Sequence, residues 1–551
     1  MLEKYLPRTE FESYDDFKAN YRVSAPPDFN YAFDVVDAWA EIDDAKPALV
    51  WMDDAGEILR FSFGDIKRRS NQIANALAAD GVKKGDVVLL LLKQRPEVWF
   101  TLVALAKLGA IAIPASFLLT GKDISYRCRT VGARRIITVD SPDVVGHVKD
   151  ALADLPGIEP PYCVGSDIPD GWRDFRAVYA AHPDRFERPA DAACGTDTML
   201  YYFTSGTTGW PKPIVQDHLH PLGHIVTAKY WQRVADGGLH LTAVDSGWAK
   251  FGWGKIYGQW ICGSAIAAYD TEKFTPEGML GAIQTMRPTT FCGPCTVYRF
   301  LIHCGLSQYD LSSVQQFSMA GEPLNPEVYN KWIELTGKPI VEGFGQTEST
   351  VLIANFGFGD PVKPGSTGKL APVYDLAILD DEGKPCEDGV EGRLVVRNAV
   401  RDRPVGLFRC YLNDPVAMAQ RWEGGHYDTG DIVWRDADGY IWFVGRSDDI
   451  IKCSGYRIGP FEVESALMEH PAVMECAVTG APDPTRGQVV KASIVLAPGF
   501  TASPELAKEI QDHVKRVTAP YKYPRIVEFM KELPKTHSGK IRRNALRDTH
   551  P

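Results

Sequence analysis

The feature that most constrains the fold is a regular alternation of helical and extended patterns along the chain. Apolar residues recur at helical spacing over residues 62–79 and 97–108, and continuous apolar runs suited to buried strands occupy 87–92 and 110–114. The alternation returns over residues 276–320. Strands that alternate with helices predict an α/β fold in which mostly parallel sheets are covered by helices.

The pattern changes after about residue 363, where turn dipeptides separate short alternating runs such as 392–397. This predicts a small β-barrel-like subdomain of antiparallel strands. A last unit, with predicted helices at 460–470 and 504–517 and predicted strands at 473–478 and 489–495, has the length of a small α+β domain. The charged run 445–449 divides the two, so we expect a large N-terminal domain over residues 1–447 and a small, mobile C-terminal domain over residues 448–551.

Composition excludes several classes of protein. The 551 residues are too many for one ordinary domain, and 45% hydrophobic with 24% charged residues is typical of a globular enzyme. The formal net charge of −11 argues against nucleic acid as a partner. No apolar run approaches the roughly 20 residues of a membrane span, so no stable membrane insertion is expected. The amino-terminal residues carry no targeting pattern, which predicts a cytoplasmic protein with reduced cysteines.

An apolar segment over residues 201–203 runs into a loop of hydroxyl and glycine residues that ends at a lysine. Glycines let consecutive backbone N–H groups converge on phosphate oxygens, hydroxyls add donors, and the lysine adds positive charge. The alternative is an ordinary surface turn. The candidate phosphate ligands are Thr204, Ser205, Gly206, Thr207, Thr208, Gly209 and Lys212.

Further motifs fit the remaining parts of a nucleotide. Glu348 follows a glycine-flanked turn, as a hard oxygen ligand for Mg²⁺ would. Asp431 lies at a turn and suits the two hydroxyls of a ribose. Arg446, Arg457 and Lys540 add positive charge, although the basic run 531–547 is also compatible with a nucleic-acid patch.

In this order and spacing, the motifs resemble those of the adenylate-forming superfamily of acyl-CoA synthetases, nonribosomal adenylation domains and luciferases. The resemblance extends from about residue 30 to residue 547, and the segments 318–326 and 519–525 are similar to medium-chain acyl-CoA synthetases. It implies ATP and CoA as substrates with Mg²⁺ as cofactor, and a homodimer is a further expectation.

The resemblance also implies a role for each matched position. The segment 204–212 would wrap the β- and γ-phosphates, Asp431 with Arg446 would bind the ribose, and Glu348 would hold Mg²⁺. Lys540 would bridge the acyl carboxylate and the α-phosphate, acting through electrostatics and positioning. The other implied nucleotide contacts are Gly321, Glu322 and Pro323 along the adenine, Thr347 at the α-phosphate, and Gln346.

Asp448 matches the hinge about which the C-terminal domain of the family rotates after adenylate formation. The rotation would withdraw Lys540 and present Gly455 to CoA, and Arg457 matches a position linked to the adenylation conformation. The alternative for Asp448 is an ordinary exposed aspartate. Gln216 departs from the family pattern, which often has histidine there.

The acyl pocket is predicted in part. Gly345 stands where acetate-specific relatives carry tryptophan, which would open volume for acids longer than acetate or propionate. Trp248, Phe251 and Trp253 match the pocket wall. Lys255 among them would need a buried partner or a lowered pKa, or its stem would pack while its head reaches solvent.

The sequence therefore predicts an AMP-forming acyl-CoA synthetase for a medium-chain or branched carboxylic acid. An aryl-CoA ligase for benzoate-like acids is the nearest alternative. A carrier-protein adenylation domain is disfavoured because 248–253 offers no acidic residue for a substrate ammonium group. An alternative of another class is a dithiol oxidoreductase that uses the Cys-x-x-Cys pair Cys292 and Cys295.

Overall fold

The structure is a computed structural model that describes residues 1–204, 210–453, 456–535 and 540–547. Its strands are β1 Pro47–Asp53, β2 Ile58–Ser62, β3 Val87–Leu91, β4 Ile111–Pro114, β5 Arg135–Val139, β6 Tyr162–Val164, β7 Arg173–Asp174, β8 Thr198–Thr204, β9 Lys212–Asp217, β10 Leu239–Thr242, β11 Ala265–Asp270, β12 Thr290–Gly293, β13 Gln316–Met319, β14 Ile340–Gly345, β15 Val351–Ala354, β16 Lys369–Leu370, β17 Leu376–Leu379, β18 Gly392–Val396, β19 Cys410–Tyr411, β20 Tyr427–Arg435, β21 Ile441–Arg446, β22 Ile451–Cys453, β23 Tyr456–Ile458, β24 Val473–Asp483, β25 Gly487–Leu496 and β26 Ile526–Met530.

The α-helices are α1 Tyr14–Asn20, α2 Ala38–Ile42, α3 Phe63–Ala79, α4 Glu97–Leu108, α5 Gly121–Val131, α6 Pro142–Ala153, α7 Phe175–Ala180, α8 His220–Ile225, α9 Ala249–Gly254, α10 Tyr257–Ile261, α11 Pro276–Met286, α12 Cys295–Ile302, α13 Pro326–Thr336, α14 Pro415–Arg421, α15 Pro460–Met468, α16 Pro504–Val517 and α17 Arg543–Arg547. None of the helices in the described part of the chain combines the length and the apolar character that crossing a membrane requires.

Two large sheets form the N-terminal part. One has nine strands in the order β16-β15-β14-β13-β12-β10-β11-β1-β2, and the other has eight in the order β19-β9-β8-β4-β3-β5-β6-β7. The central strands of both are parallel, with antiparallel strands at the edges. Their fully buried residues, such as Val87–Leu91, explain the continuous apolar runs in the sequence, because helices cover both faces of a parallel sheet.

The strand order places several predicted site segments at one edge. In the nine-stranded sheet, β12, β13 and β14 are parallel neighbours. Residues 294–296, 321–323 and 346–348 follow their carboxyl ends, which meet at the same edge of a parallel sheet. In the other sheet, β8 and β9 form a hairpin in which Thr204 pairs with Lys212.

The predicted α/β fold class is confirmed, with differences at the ends of elements. Helix α4 has the predicted bounds, whereas α3 begins at Phe63 because Ser62 is its N-cap and forms a capping box with Asp65. Strand β24 continues to Asp483, five residues beyond the prediction, because it pairs with β25 along its whole length. Tertiary pairing of this kind overrides local patterns.

The carboxy-terminal third carries two further sheets. Antiparallel strands β17-β18-β20-β21 occupy the region of the predicted barrel-like subdomain. After them, β23-β22-β25-β24 with β26 enclose a separate apolar core against α15 and α16, which includes Ile458, Val463, Ile494 and Ile510. A domain boundary at residue 448 stays a prediction, consistent with this separate core.

Candidate active site

Gln346, which directly follows β14, joins the nine-stranded sheet to the four-stranded sheet. Its Nε2 donates hydrogen bonds to Oδ2 of Asp431 at 2.6 Å and to the carbonyl oxygen of Thr429 at 2.8 Å, and its Oε1 accepts one from Oη of Tyr427 at 2.7 Å. Both hydrogen-bonding ends of the amide are therefore held by β20. This brings the predicted ribose ligand within contact of the segment 346–348.

Asp431 is buried, and burial raises the pKa of its carboxyl group to about 6 although Arg446 opposes the shift. Arg446 is its neighbour on β21, with Nη1 3.9 Å from Oδ1 of Asp431. The Nε of Arg446 also lies 3.6 Å from Asp448, whose side chain is 40% exposed. One arginine thus lies between the predicted ribose ligand and the predicted hinge.

Lys212 reaches the same region from the eight-stranded sheet. Its Nζ lies 3.0 Å from Oδ2 of Asp414 and 5.8 Å from the centre of the Tyr411 ring. The Oη of Tyr411 in turn donates a hydrogen bond to Oε1 of Glu348 at 2.8 Å. On the same hairpin, Nε2 of Gln216 donates to the carbonyl oxygen of Thr347 at 2.9 Å. The hairpin that carries the predicted phosphate loop therefore lies against Thr347 and Glu348.

The predicted adenine segment Gly321–Pro323 begins with Gly321 at a φ of +105°, a conformation that favours glycine. Glu322 then accepts hydrogen bonds at its Oε1 from the backbone N of Thr296 at 3.2 Å and from Oγ1 of Thr296 at 2.8 Å. Thr296 lies in the first turn of α12, so these hydrogen bonds connect the loop after β13 to the helix that follows β12.

Lys540 comes to this cleft from the carboxy-terminal unit. Its side chain is accessible to solvent, and partial desolvation by the surrounding protein lowers the pKa of its amine. The charged groups close enough to act on the amine are Glu322, Arg446, Glu348 and Asp431. Four segments predicted to bind one nucleotide therefore surround Lys540.

Lys250 is a second amine in the cleft that the sequence reasoning missed. Its Nζ donates a hydrogen bond to the carbonyl oxygen of Ala320 at 2.7 Å, and Glu322 and Lys540 are among the charged groups that act on it. Burial is the main cause that lowers its pKa. The sequence signal for Lys250 is its position two residues after Trp248, within the predicted pocket segment 248–253.

The predicted pocket residues lie on and around α9. Phe251 is fully buried against Trp99, with ring centres 5.4 Å apart, and Trp253 meets Trp231 edge to face at 6.0 Å. Trp248 is the partly exposed N-cap of the helix. We refer to Phe251 and Trp253 with their two partner rings, Trp99 and Trp231, as the aromatic wall.

The structure corrects the expectation that Gly345 opens volume in the pocket. A Cβ atom at Gly345 would lie 2.4 Å from the indole of Trp253 and 2.3 Å from the carbonyl oxygen of Thr350. The space that a tryptophan at 345 would fill is therefore already taken by another indole, from Trp253. Glycine is required there because the ring and the backbone pass so close.

Lys255 is buried, which excludes the alternative in which its head reaches solvent. Its Nζ donates a hydrogen bond to Oε1 of Gln94 at 2.6 Å. Burial lowers the pKa of the amine to about 7, although Asp245 and Asp270 favour the charged form. The polar groups that act on this amine are therefore those of Gln94, Asp245 and Asp270.

Two predicted groups lie apart from the cleft or outside the described residues. The exposed guanidinium of Arg457 has Asp381 as its ion-pair partner among the described residues, at 3.2 Å, on the turn between β17 and β18. The phosphate-loop candidates Ser205, Gly206, Thr207, Thr208 and Gly209 and the CoA candidate Gly455 fall outside the described residues.

Cys292 and Cys295 are both buried, one on β12 and the other at the start of α12. Both are free thiols. Burial raises the pKa of Cys295 to about 11, with Glu322 adding to the shift, so its thiolate is disfavoured at neutral pH. A buried thiol in the neutral form is a poor redox nucleophile, which argues against the oxidoreductase alternative.

Comparison with known proteins shows which family profiles and relatives the chain matches. A family profile described as AMP-binding enzyme matches residues 36–412, and one described as AMP-binding enzyme C-terminal domain matches residues 462–540. The mitochondrial acyl-coenzyme A synthetase ACSM3 of Mus musculus is 40% identical over 551 residues, covering 98% of this chain and 93% of the relative. The mitochondrial ACSM5 of Homo sapiens is 40% identical over 540 residues, covering 96% and 91%.

The chain is also similar to solved structures of a CoA ligase and an acyl-CoA synthetase. The anthranilate CoA ligase AuaEII, in complex with anthranoyl-AMP, superposes with a TM-score of 0.86 at 31% identity and covers 95% of this chain and 97% of its own. An acyl-CoA synthetase from Brucella canis superposes with a TM-score of 0.73 at 33% identity and covers 98% of each chain.

Proposed function

The chain belongs to the AMP-binding enzyme family and is an AMP-forming acid–thiol ligase, and from this premise we propose that the cleft around Lys540 activates a medium-chain or branched carboxylic acid. In the first half-reaction a carboxylate oxygen attacks the α-phosphorus of ATP, the bond to the bridging oxygen breaks, and pyrophosphate leaves. In the second, the sulfur of CoA attacks the acyl carbonyl carbon, loses its proton, and expels AMP.

The observation that carries the proposal is the convergence of Lys212, Glu348, Asp431 and Lys540 from separate parts of the chain. Asp431 would accept hydrogen bonds from the two ribose hydroxyls, with Gln346 and Arg446 fixing its carboxylate. Lys212 would face the phosphates that leave. Since its charge is flanked by tyrosine and aspartate, it is held in place before nucleotide binds.

Lys540 would stabilise the charge that grows as the carboxylate oxygen approaches phosphorus. A positive charge in a cleft walled by protein acts more strongly than one in water, because fewer solvent dipoles screen it. Thr347 would contact the α-phosphate, held by the hydrogen bond from Gln216 to its carbonyl oxygen. Gln216 thus orders the segment 346–348 at the position where histidine is common in relatives.

Mg²⁺ fits the residues present as a partner of the nucleotide. In the described parts of the chain, no three His, Cys, Asp or Glu side chains come together as a dedicated metal cage would require. Mg²⁺ is usually held by one or two carboxylates together with substrate phosphates and water. Glu348 supplies such a carboxylate, oriented by Tyr411. The ion would supply positive charge to the phosphates.

Asp448 would serve as the hinge that separates the half-reactions. It is exposed and lies two residues after the end of β21, the last strand of the four-stranded sheet, so its backbone can rotate at little packing cost. After rotation, Gly455 and its neighbours would face CoA. Arg457 would favour the adenylation orientation through Asp381 on the large unit.

The aromatic wall of Phe251 and Trp253 supports an apolar acyl group of limited length. A second candidate is an aromatic acid, because the structural neighbour at 31% identity is an anthranilate CoA ligase and flat rings pack well against aromatic walls. Pyrophosphate release measured over aliphatic and aromatic acids, with and without CoA, separates the two. We expect the highest kcat/KM among aliphatic acids of medium length or with branches, and a benzoate-like optimum would replace that assignment.

The proposed location is the cytoplasm, with the enzyme as a homodimer. Free cysteines support a reducing compartment, a condition that the mitochondrial location in the relatives' names also meets. Fractionation of cells that express the tagged protein tests the location, and sedimentation velocity tests the dimer.

A further inference from the structure

Glu475 lies where the carboxy-terminal unit meets helix α12 of the large unit. Its carboxylate, 17% exposed, is approached from two sides. Nζ of Lys535 donates to Oε1 at 2.8 Å and to Oε2 at 2.9 Å, and Nη1 of Arg299 lies 3.9 Å from Oε1. Lys535 belongs to the same unit as Glu475, whereas Arg299 is on α12. One carboxylate therefore links the two units.

Lys535 pairs with Ile541 as an antiparallel bridge, and the backbone N of Arg542 donates to the carbonyl oxygen of Pro534 at 2.8 Å. This paired base lies next to Lys540 in the chain. Lys540 directly precedes Ile541, so the position of this base determines where the amine of Lys540 can reach. Glu475 holds the base through both of its oxygens.

Helix α12 fixes the other side of the link. Thr296 in its first turn binds Glu322, one of the charged groups around Lys540, and Arg299 lies three residues later on the same face of the helix. The Nε of Arg299 is buried and has no hydrogen-bond partner among the described residues, so this nitrogen is already removed from water at this junction. The helix therefore presents one contact to the adenine segment and one to the carboxy-terminal unit.

We propose that Glu475 is a positioning residue for the adenylation half-reaction, acting through Lys535 and Arg299 to hold the paired base beside Lys540 against the large unit. The proposal rests on the role assigned above to Lys540. The contact between Glu475 and Lys535 lies within the carboxy-terminal unit, whereas the contact with Arg299 joins the two units and would be broken by the proposed rotation. Glu475 should therefore favour the first half-reaction and leave the second unaffected.

The test measures the half-reactions separately in the full chain. Glu475→Gln should slow acid-dependent ATP–pyrophosphate exchange by about tenfold, because a small displacement of a catalytic group is costly. Thioester formation from a synthetic acyl-adenylate and CoA should stay at the wild-type rate. Asp512→Asn is the matched control, since it removes ion pairs with Lys508 and Lys515 that lie within α16, and neither half-reaction should change.

A second comparison excludes a merely structural effect. Arg299→Gln should produce the same selective loss, and the double variant Arg299→Gln/Glu475→Gln should be no slower than the slower single variant, because both changes break one link. Glu475→Asp should recover part of the exchange rate. Equal losses in both half-reactions, or additive losses in the double variant, would overturn the proposal.

The outcome is separable from failure of the proposed function. If wild-type protein released no pyrophosphate with any acid, the function would be wrong. If Lys540→Ala slowed both half-reactions alike while Glu475→Gln remained selective for the first, the error would lie in the role of Lys540 and not in the link through Glu475.

Discussion

Nε2 of Gln346 and Oδ2 of Asp431 are 2.6 Å apart, although 85 residues separate them along the chain. The first follows a strand of the nine-stranded sheet and the second lies within a strand of the four-stranded sheet. Because this hydrogen bond orients the carboxylate of Asp431, the carboxylate is correctly oriented only when the two sheets are packed together. The nucleotide site is therefore a property of how the units pack, and no single motif contains it.

Asp431→Asn should raise the KM for ATP by roughly 10- to 100-fold, because hydrogen bonds to a charged acceptor are worth about 1.5–3 kcal/mol. The wild-type KM should also rise as the pH falls below about 6, since the pKa of this carboxyl is raised to about 6 and protonation removes the charge. Steady-state kinetics between pH 5 and pH 8 check both. A wild-type KM that stays constant across this range would contradict the assignment of Asp431.

Lys540→Ala should slow adenylate formation by about 100-fold or more, because it removes the charge that stabilises the developing transition state. Thioester formation from a preformed acyl-adenylate should be retained, since the amine serves only the first step. Rapid-quench measurement of each half-reaction checks the split. Lys508→Ala, on the exposed side of α16, is the control for loss of a lysine from the same unit.

Much of this arrangement could be predicted from the sequence, because local patterns carry it. Helix α4 was predicted to the residue, and the segments that contain Lys212, Glu348, Asp431 and Lys540 were identified by their residue types and by the family resemblance. Glycine-containing turns after buried strands can be predicted, because strand ends and turns are determined by residues that are close together in the sequence.

What could not be predicted depends on contacts between distant segments. Tyr411 orients Glu348 from 63 residues away, and no motif surrounds it. Lys250 was missed because its hydrogen bond to Ala320 joins α9 to the residue after β13, 70 residues away along the chain. The close approach of Trp253 to Gly345 likewise depends on a tertiary contact. The residue types alone therefore predicted open space beside Gly345, where the structure has the indole of Trp253.

Trp253→Leu should shift the acyl preference toward longer acids, because it removes the ring that occupies the space beside Gly345. We expect the kcat/KM ratio of a longer to a shorter acid to rise by roughly tenfold per accommodated methylene. Gly345→Ala should instead destabilise the protein by about 1–3 kcal/mol without this shift, because its Cβ would overlap the carbonyl oxygen of Thr350. Acid-panel kinetics and thermal unfolding distinguish the two; an unchanged profile in Trp253→Leu would remove Trp253 from the pocket.

The double variant Cys292→Ser/Cys295→Ser should retain CoA-ligase turnover, because these buried thiols pack and do not react. A loss of stability of about 1–3 kcal/mol is expected, since each serine buries a more polar group. Turnover is measured at a temperature well below the unfolding midpoint of the variant. Abolished turnover in folded protein, together with a measurable thiol–disulfide couple in the wild type, would favour the oxidoreductase instead.

Lys255→Met should change how stability depends on pH. The folded protein lowers the pKa of this amine from 10.5 to about 7, so between these values the unfolded chain binds a proton that the folded chain does not. The contribution of this group to the unfolding free energy of the wild type should therefore rise with pH between pH 7 and pH 10.5, by an amount on the order of a few kcal/mol. In Lys255→Met this contribution disappears and the curve of unfolding free energy against pH becomes flatter above pH 7.

Urea titrations at pH 7, 8, 9 and 10 measure the unfolding free energy. Lys122→Met, on the exposed side of α5, is the control that should keep the wild-type slope. A parallel curve for Lys255→Met would mean that the amine stays charged in the folded protein, stabilised by Asp245 and Asp270.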